Sequence, residues 1–142
     1  MSDAPIRRAT AEDGPACAAI VFAWLGETEW MPDKPSLEVL NDALTEGLPK
    51  REAYVIGEPV QGYLAMEAEI AHIHGFYVSA KGQGLGKALL DHVKDGRDYL
   101  RLNTHAANAH AHRFYEREGF VKTGAPWRGS DGIDEIRMEW HR

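Results

Sequence analysis

The sequence has a single cysteine and no long apolar run. With only Cys17 in 142 residues, the chain cannot form an internal disulfide, and we expect this thiol to be a packed small side chain. No stretch approaches the roughly 20 apolar residues of a membrane-spanning helix, and residues 1–8 carry charge and proline where a signal peptide needs an apolar run. These absences predict a cytoplasmic protein that does not associate with membranes.

Positive charge is also scarce over most of the chain. The formal net charge is −6, which argues against a nucleic-acid surface because phosphate binding needs clustered lysine and arginine. The segment from Lys81 to Lys122 is the exception, with eight basic and five acidic residues. A compact polyanionic ligand would suit such a segment, and so would a solvated helix face.

Hydrophobic periodicity and turn residues predict a mixed α/β fold. The order of predicted elements is β-α-α-β-β-β-α-β-α-β-β, which gives a mixed, mostly antiparallel sheet with helices on both faces (α+β in some schemes). Nothing in the sequence marks a linker or a repeat. The length of 142 residues therefore favours one domain over residues 1–142.

A glycine cluster follows the long strand predicted over residues 70–78 and precedes a predicted helix. Gly82, Gly84 and Gly86 alternate with Gln83 and Leu85, and Lys81 and Lys87 flank them. A helix N-terminus lined by glycine offers unpaired amides and positive potential to a phosphate. The spacing fits neither a Walker A loop nor a dinucleotide-binding fingerprint, and a plain strand-to-helix turn is the alternative.

Two segments together resemble the GNAT superfamily of acetyl-CoA-dependent N-acetyltransferases. The first segment is Phe76-Tyr77-Val78 followed by Lys81-Gly82-Gln83-Gly84-Leu85-Gly86-Lys87, and it resembles the acyl-CoA-binding motif of that family. Lys81 stands at a position where the family has arginine or glutamine. The second is similar to a family signature with an asparagine, a tyrosine seven residues later and then Gly-Phe. In this chain those residues are Asn108, Tyr115, Gly119 and Phe120.

The resemblance implies roles for these positions. The strand end Phe76, Tyr77 and Val78 would pair with the pantetheine arm, and Asn108 would contact that arm. The turn from Lys81 through Gly82, Gln83, Gly84 and Gly86 to Lys87 would hold the diphosphate of acetyl-CoA as cosubstrate. Tyr115 would lie beside the sulfur and protonate the departing thiolate. The acetyl group would pass directly to a primary amine in a ternary complex.

An alkyl amine is mostly protonated at neutral pH, because its pKa is about 10.4, so a proton acceptor would assist the reaction. Strict alternation along residues 70–78 puts His72, His74, Phe76 and Val78 on one face. We expect His72 or His74 to be that acceptor, since a histidine with a pKa of about 6.5 is neutral at working pH. Packing or hydrogen bonding alone is the alternative role for both.

The acceptor pocket is predicted from the segment after the first helix. Trp24, Glu27, Glu29 and Trp30 combine aromatic rings with acidic groups, and in the resembled family this region covers the acceptor. The predicted partner is a small amine or a peptide amine, and a homodimer is left open. Packing of the two tryptophans on the sheet is the alternative.

Two other classes of function compete with this interpretation. A non-catalytic acyl-CoA-binding or sensing module would keep the same cofactor motifs. A metal site is the second alternative, because the chain has several histidines, especially His105, His110 and His112. Zinc, however, needs three or four converging ligands, and His110 and His112 point to different sides of a helix. No metal is therefore predicted.

Overall fold

The computed structural model describes residues 4–142; residues 1–3 of the predicted domain lie outside the described part. The strands are Ile6–Arg8 (β1), Glu52–Ile56 (β2), Gly62–Glu67 (β3), His72–Val78 (β4), Tyr99–His105 (β5), Val121–Arg128 (β6) and Asp134–His141 (β7). The α-helices are Gly14–Glu27 (α1), Leu37–Gly47 (α2), Leu85–Lys94 (α3) and Ala109–Arg117 (α4). None of the helices in the described range is long and apolar enough to cross a membrane.

The predicted order of elements and the predicted sheet are confirmed. One seven-stranded sheet has the order β1-β2-β3-β4-β5-β7-β6, and only the pairing of β4 with β5 is parallel. Short 3₁₀ turns at Ala11–Asp13, Leu48–Lys50 and Ala68–Ile70 join the main elements. The fold is therefore the mixed, mostly antiparallel α/β arrangement that the sequence indicates.

Helices cover both faces of the sheet around β3. Successive strand residues point to opposite faces, so Leu64 packs in a core with α3 while Tyr63 packs in a second core with α1. The α3 core contains Leu89 and Leu90, and the α1 core contains Cys17, which is fully buried as expected. The prediction of helices on both faces is confirmed.

The buried face of α1 differs in part from the predicted one. The sequence pattern places Ala16, Ile20, Ala23 and Trp24 on the apolar face. Ile20 is buried and Trp24 half-buried, but Ala16 and Ala23 are exposed, and the buried stripe runs through Cys17, Val21 and Leu25. Nearly every residue of α1 is apolar, so the pattern does not identify a single face. Packing against β3 and β4 selects the face instead.

A β-bulge interrupts the regular alternation of β4. Ala65 pairs with Gly75 and the next residue, Met66, pairs with Ile73, so His74 is an extra residue on β4. The prediction that His72 and His74 share a face with Phe76 and Val78 is therefore wrong. Phe76 and Val78 pack against the α3 core, whereas Tyr77 packs against the α1 core and His72 lies on that same side.

Strands β4 and β5 separate soon after they meet. They pair only at His72 with Arg101 and at Ile73 with Leu102, and the rest of β4 pairs with β3 alone. We call the space between the two strands beyond these pairs the strand gap. It opens toward the C-terminal ends of β4 and β5, next to the glycine turn and the start of α4.

Helices α1 and α2 approach closely at Gly14. A Cβ atom at Gly14 would lie 2.2 Å from Thr45 Oγ1 and 2.8 Å from Thr45 Cα, whereas a Cβ at Gly26 of the same helix meets nothing within 4 Å. Gly14→Ala should therefore lower the free energy of unfolding by about 1–3 kcal/mol through overpacking. Gly26→Ala should raise it by roughly 0.5–1 kcal/mol because alanine favours helix. Urea denaturation measures the free energy of unfolding of both variants. Equal changes in that free energy would contradict the close contact between Gly14 and Thr45.

Candidate active site

The β4 edge presents backbone amides to the strand gap. Ser79 N donates to Gln61 O at 2.8 Å, and Tyr77 stands opposite Tyr63 in the β3 register. Amides alternate along a strand, so residues 75, 77 and 79 turn toward β3 and Phe76 and Val78 turn toward the gap. Since β5 does not pair there, these amides are available to a ligand with its own carbonyl and amide groups.

The glycine turn forms the second group of free donors. Gly82 and Gly84 have φ angles of +77° and +76°, a conformation that glycine adopts without strain, and Gly84 is the N-cap of α3. Within residues 4–142, no backbone or side-chain acceptor takes a hydrogen bond from the amides of residues 82–87, and the first bond of α3 runs from Ala88 N to Gly84 O. A Cβ at Gly82 would meet nothing within 4 Å, so the space beside this turn can admit a diphosphate.

The flanking lysines differ in their availability. Lys87 Nζ lies 3.2 Å from Asp91 Oδ2 and 3.2 Å from Glu118 Oε1, and these carboxylates raise the pKa of Lys87, with Glu118 as the larger cause. Lys81 is exposed beside the turn. The backbone amides and Lys81 are therefore the donors free to meet an anion, while the side chain of Lys87 links α3 to the end of α4.

Helix α4 borders the gap on the α3 side. Asn108 is its N-cap, with Oδ1 accepting from Ala111 N at 3.1 Å, which leaves the amide nitrogen of its side chain for a ligand. Tyr115 is half-buried, and its ring lies 6.2 Å from the Phe76 ring and 5.6 Å from the Phe120 ring. Burial raises the pKa of Tyr115 above its ordinary value, so its hydroxyl stays protonated at neutral pH.

The α1 side of the gap is lined by aromatic rings. Ring centroids lie 5.3 Å apart for Trp24 and Tyr77, 5.8 Å for Trp24 and Trp30, and 5.1 Å for Trp30 and His105. We call these four residues the aromatic wall. It connects β4 to the end of β5, and Glu27 and Glu29 are exposed beside it.

His72 and His74 lie at the closed end of the gap. Their rings are 4.5 Å apart, and His74 Nε2 lies 3.0 Å from Glu67 Oε1. His72 is buried, its Nδ1 has no hydrogen-bond partner, and burial lowers its pKa to about 4, with the charges of His74 and Arg101 adding to the shift. A proton-accepting role for either histidine stays a prediction.

The structure also brings together a pair that the sequence did not suggest. His105 Nε2 lies 2.9 Å from Asp131 Oδ2, although 26 residues separate them. The sequence does contain a signal that β5 extends to His105, because buried residues alternate with Tyr99, Arg101, Asn103 and His105. No sequence signal places Asp131 next to His105. Among the described residues, no three His, Cys, Asp or Glu side chains converge as metal ligands would.

Comparison with known proteins identifies the family. A model of the acetyltransferase (GNAT) domain matches residues 32–142 of the chain. The chain belongs to this family. The resemblance drawn from the sequence motifs is confirmed, and this GNAT protein is an acyltransferase with acetyl-CoA as its cosubstrate.

Individual relatives agree with this membership. The chain is 28% identical over 125 residues to the peptidyl-lysine N-acetyltransferase YjaB of Salmonella typhimurium, covering 84% of each sequence. It is similar to the solution structure of apo YjaB from Escherichia coli, with a TM-score of 0.74, 23% identity and 98% of both chains covered. It is also similar to yncA from Salmonella typhimurium with its cofactor acetyl-CoA, with a TM-score of 0.71, 22% identity, and 99% of this chain and 94% of that one covered. At these identities the solved structures show the shared fold.

The glycine turn of this GNAT protein generates a test with an internal control. Gly82 and Gly96 both have φ of +77°, and a Cβ at either meets nothing within 4 Å, so alanine should cost similar backbone strain at both. Only Gly82→Ala puts a methyl group where the diphosphate would lie, and it should raise the Kd for acetyl-CoA about 10-fold. Calorimetric titration with acetyl-CoA measures this Kd. An equal rise of the Kd in Gly96→Ala would contradict the glycine turn as the binding site.

The burial of His72 generates a pH-dependence. Its pKa is about 4 in the folded protein and about 6.5 in an unfolded chain, so the unfolded state binds more protons between these values. Stability contributed by the neutral ring is complete above pH 6.5 and is lost as pH falls toward 4, up to roughly 3 kcal/mol. His72→Gln should lose less free energy of unfolding than wild type between pH 7.5 and pH 4.5 in urea titrations. The control variant His92→Gln, at an exposed position, should lose as much free energy of unfolding over this pH range as wild type does.

Proposed function

We propose that the protein transfers the acetyl group of acetyl-CoA to a primary amine by direct attack within a ternary complex. The observation that carries the proposal is the strand gap itself. It has free amides of Phe76 and Val78 on the β4 edge, Tyr115 on its α3 side and the aromatic wall on its α1 side. Donor and acceptor can then meet within one gap without a covalent enzyme intermediate.

The donor side of the proposal uses backbone groups. The amides of Gly82, Gly84 and Gly86 would hold the diphosphate, with Gln83 and Lys81 at the rim of the turn. Phe76 and Val78 would pair with the pantetheine arm and offer an N–H to the thioester oxygen, where negative charge develops. Asn108 would donate to the same arm through its side-chain amide. Acetyl-CoA supplies the reactive thioester.

Proton movement involves two ends of the gap. The acceptor ammonium must lose a proton before its nitrogen can attack, at a cost of about 4.6 kcal/mol at pH 7 for a group with a pKa of about 10.4. His72 or His74 is the acceptor expected from the sequence. The sulfur leaves as a thiolate, and Tyr115, held protonated by burial, would donate its proton there.

We infer that the acceptor is an alkyl amine on a peptide or a small molecule. The four-ring wall suits the methylene stem of such an amine, and the exposed carboxylates of Glu27 and Glu29 suit its cationic head. The YjaB relative is named a peptidyl-lysine N-acetyltransferase, which makes lysine peptides the first acceptors to assay. A cytoplasmic location and a single domain over residues 1–142 stay predictions from the sequence.

Release of free thiol from acetyl-CoA, followed with a panel of lysine peptides, polyamines and amino acids, tests the activity. We expect turnover with at least one primary amine. Tight binding of acetyl-CoA without turnover on any amine would favour the non-catalytic binding module instead.

Tyr115→Phe tests the thiolate-protonating role. Phenylalanine keeps the ring that packs against Phe76 and Phe120, so the Kd for acetyl-CoA should stay within about 2-fold while kcat falls about 10²-fold. Tyr54→Phe is the matched control, because the Tyr54 hydroxyl donates to Glu52 and its ring contacts His92 of α3, away from the gap. Parallel losses of affinity and turnover in Tyr115→Phe would mean that the residue packs or binds rather than donates.

A further inference from the structure

His105 is held firmly at the open end of the strand gap. It is the last residue of β5, and its carbonyl accepts hydrogen bonds from Asn108 N and from His112 Nε2, both at 3.0 Å. The following residue donates from Ala106 N to Asp134 O at 2.8 Å. The backbone at His105 is therefore fixed by the start of α4 and by the first residue of β7.

Asp131 fixes the orientation and the tautomer of the His105 ring. One carboxylate oxygen lies 2.9 Å from His105 Nε2, and the other accepts from Ile133 N at 3.0 Å. The hydrogen bond with His105 lowers the pKa of Asp131, so this carboxylate is ionised at neutral pH and can only accept. Nε2 must then carry the hydrogen, and Nδ1 is left with a free lone pair.

The ring of His105 belongs to the surface that would receive the acceptor. It lies 5.1 Å from Trp30, which contacts Trp24, which contacts Tyr77 on the opposite side of the gap. About a quarter of the His105 side chain is exposed, 23%, so the ring is neither sealed in a core nor free in solvent. A molecule lying along the aromatic wall would therefore contact the exposed part of this ring.

We propose that His105, positioned by Asp131, takes the proton from the acceptor ammonium. In this step one N–H bond of the ammonium breaks, the proton bonds to Nδ1, and the electron pair stays on the amine nitrogen for attack on the thioester carbonyl. After attack the nitrogen loses a second proton on becoming the amide, which replaces the proton that Tyr115 gives to the thiolate, and His105 passes its own proton to water. The inference rests on the proposed acetyl transfer and names a proton acceptor at the end of the gap opposite to the one expected from the sequence.

The alternatives at the closed end are less suited to this step. His72 is buried and has no partner at Nδ1 to fix a tautomer. His74 has a carboxylate partner in Glu67, as His105 has in Asp131, but its ring contacts His72 at the closed end, whereas the His105 ring contacts Trp30 of the aromatic wall. Around His105 the charged and titratable groups are Asp131 from the loop, Glu135 opposite it in the β7 register, and His112 from α4. Two of these are carboxylates, which favour a cationic acceptor near the ring.

The test compares kcat and kcat/KM across pH 5.5–9 for a lysine-peptide acceptor in His105→Gln and Asp131→Asn. His105→Gln should lower kcat about 10²-fold at pH 7 and abolish the decline of kcat/KM on the acid side. Asp131→Asn keeps the oxygen that accepts from Ile133 N but donates to Nε2, so Nδ1 becomes protonated and kcat should fall to a similar extent. The double variant should lose little more, since the two residues act as one unit.

Controls separate this inference from the proposed function. His92→Gln removes an exposed histidine on the far side of α3 and should behave as wild type, and the Kd for acetyl-CoA should stay within about 2-fold in all variants. Wild-type kcat in His105→Gln, or a change in KM alone, would overturn the inference while acetyl transfer by wild type still stands. The inference would also be wrong if His72→Gln or His74→Gln abolished the acid-side decline of kcat/KM while His105→Gln kept it. The proton acceptor would then be a histidine at the closed end of the gap. Absence of turnover in wild type would instead refute the proposed function.

Discussion

The whole site depends on one failure of strand pairing. β4 and β5 share only two residue pairs before they separate, and the extra residue His74 shifts the phase of β4 just beyond that point. Because of this shift, Phe76 and Val78 turn their amides toward the gap while their side chains fill the α3 core. These two amides, unpaired with β5, are the donors that the proposed site would offer to acetyl-CoA.

The elements beside the gap hold separate groups in fixed positions. A Cβ at Gly86 would lie 3.3 Å from Phe114, so the absence of a side chain lets α3 pack against α4, and Lys87 joins Glu118 across the same pair of helices. The glycine turn and Tyr115 are thus carried by one rigid unit. Lys94 strengthens it by donating to Glu118 O at 2.6 Å, with its ammonium 5.1 Å from the Trp140 ring.

Local signals in the sequence were sufficient for the order of elements and for the glycine turn between β4 and α3, because each depends on residues close together in the chain. Features set by tertiary packing were not accessible in this way. The bulge at His74 reflects register with β3, and the buried face of α1 reflects its contact with the sheet. The pairing of His105 with Asp131 joins segments that meet only in the folded chain, so the candidate proton-accepting histidines could not be ranked from the sequence.

The aromatic wall draws its residues from the end of α1, the segment after it, β4 and the tip of β5, and its two tryptophans, Trp24 and Trp30, come from segments outside both the glycine turn and α4. Under the proposed function, the amine and the nucleotide would therefore be recognised by largely separate stretches of the chain. Substitutions around residues 24–30 would then change the range of acceptors at little cost to donor affinity. A lineage carrying this fold can thus acquire new substrates by divergence of one short segment.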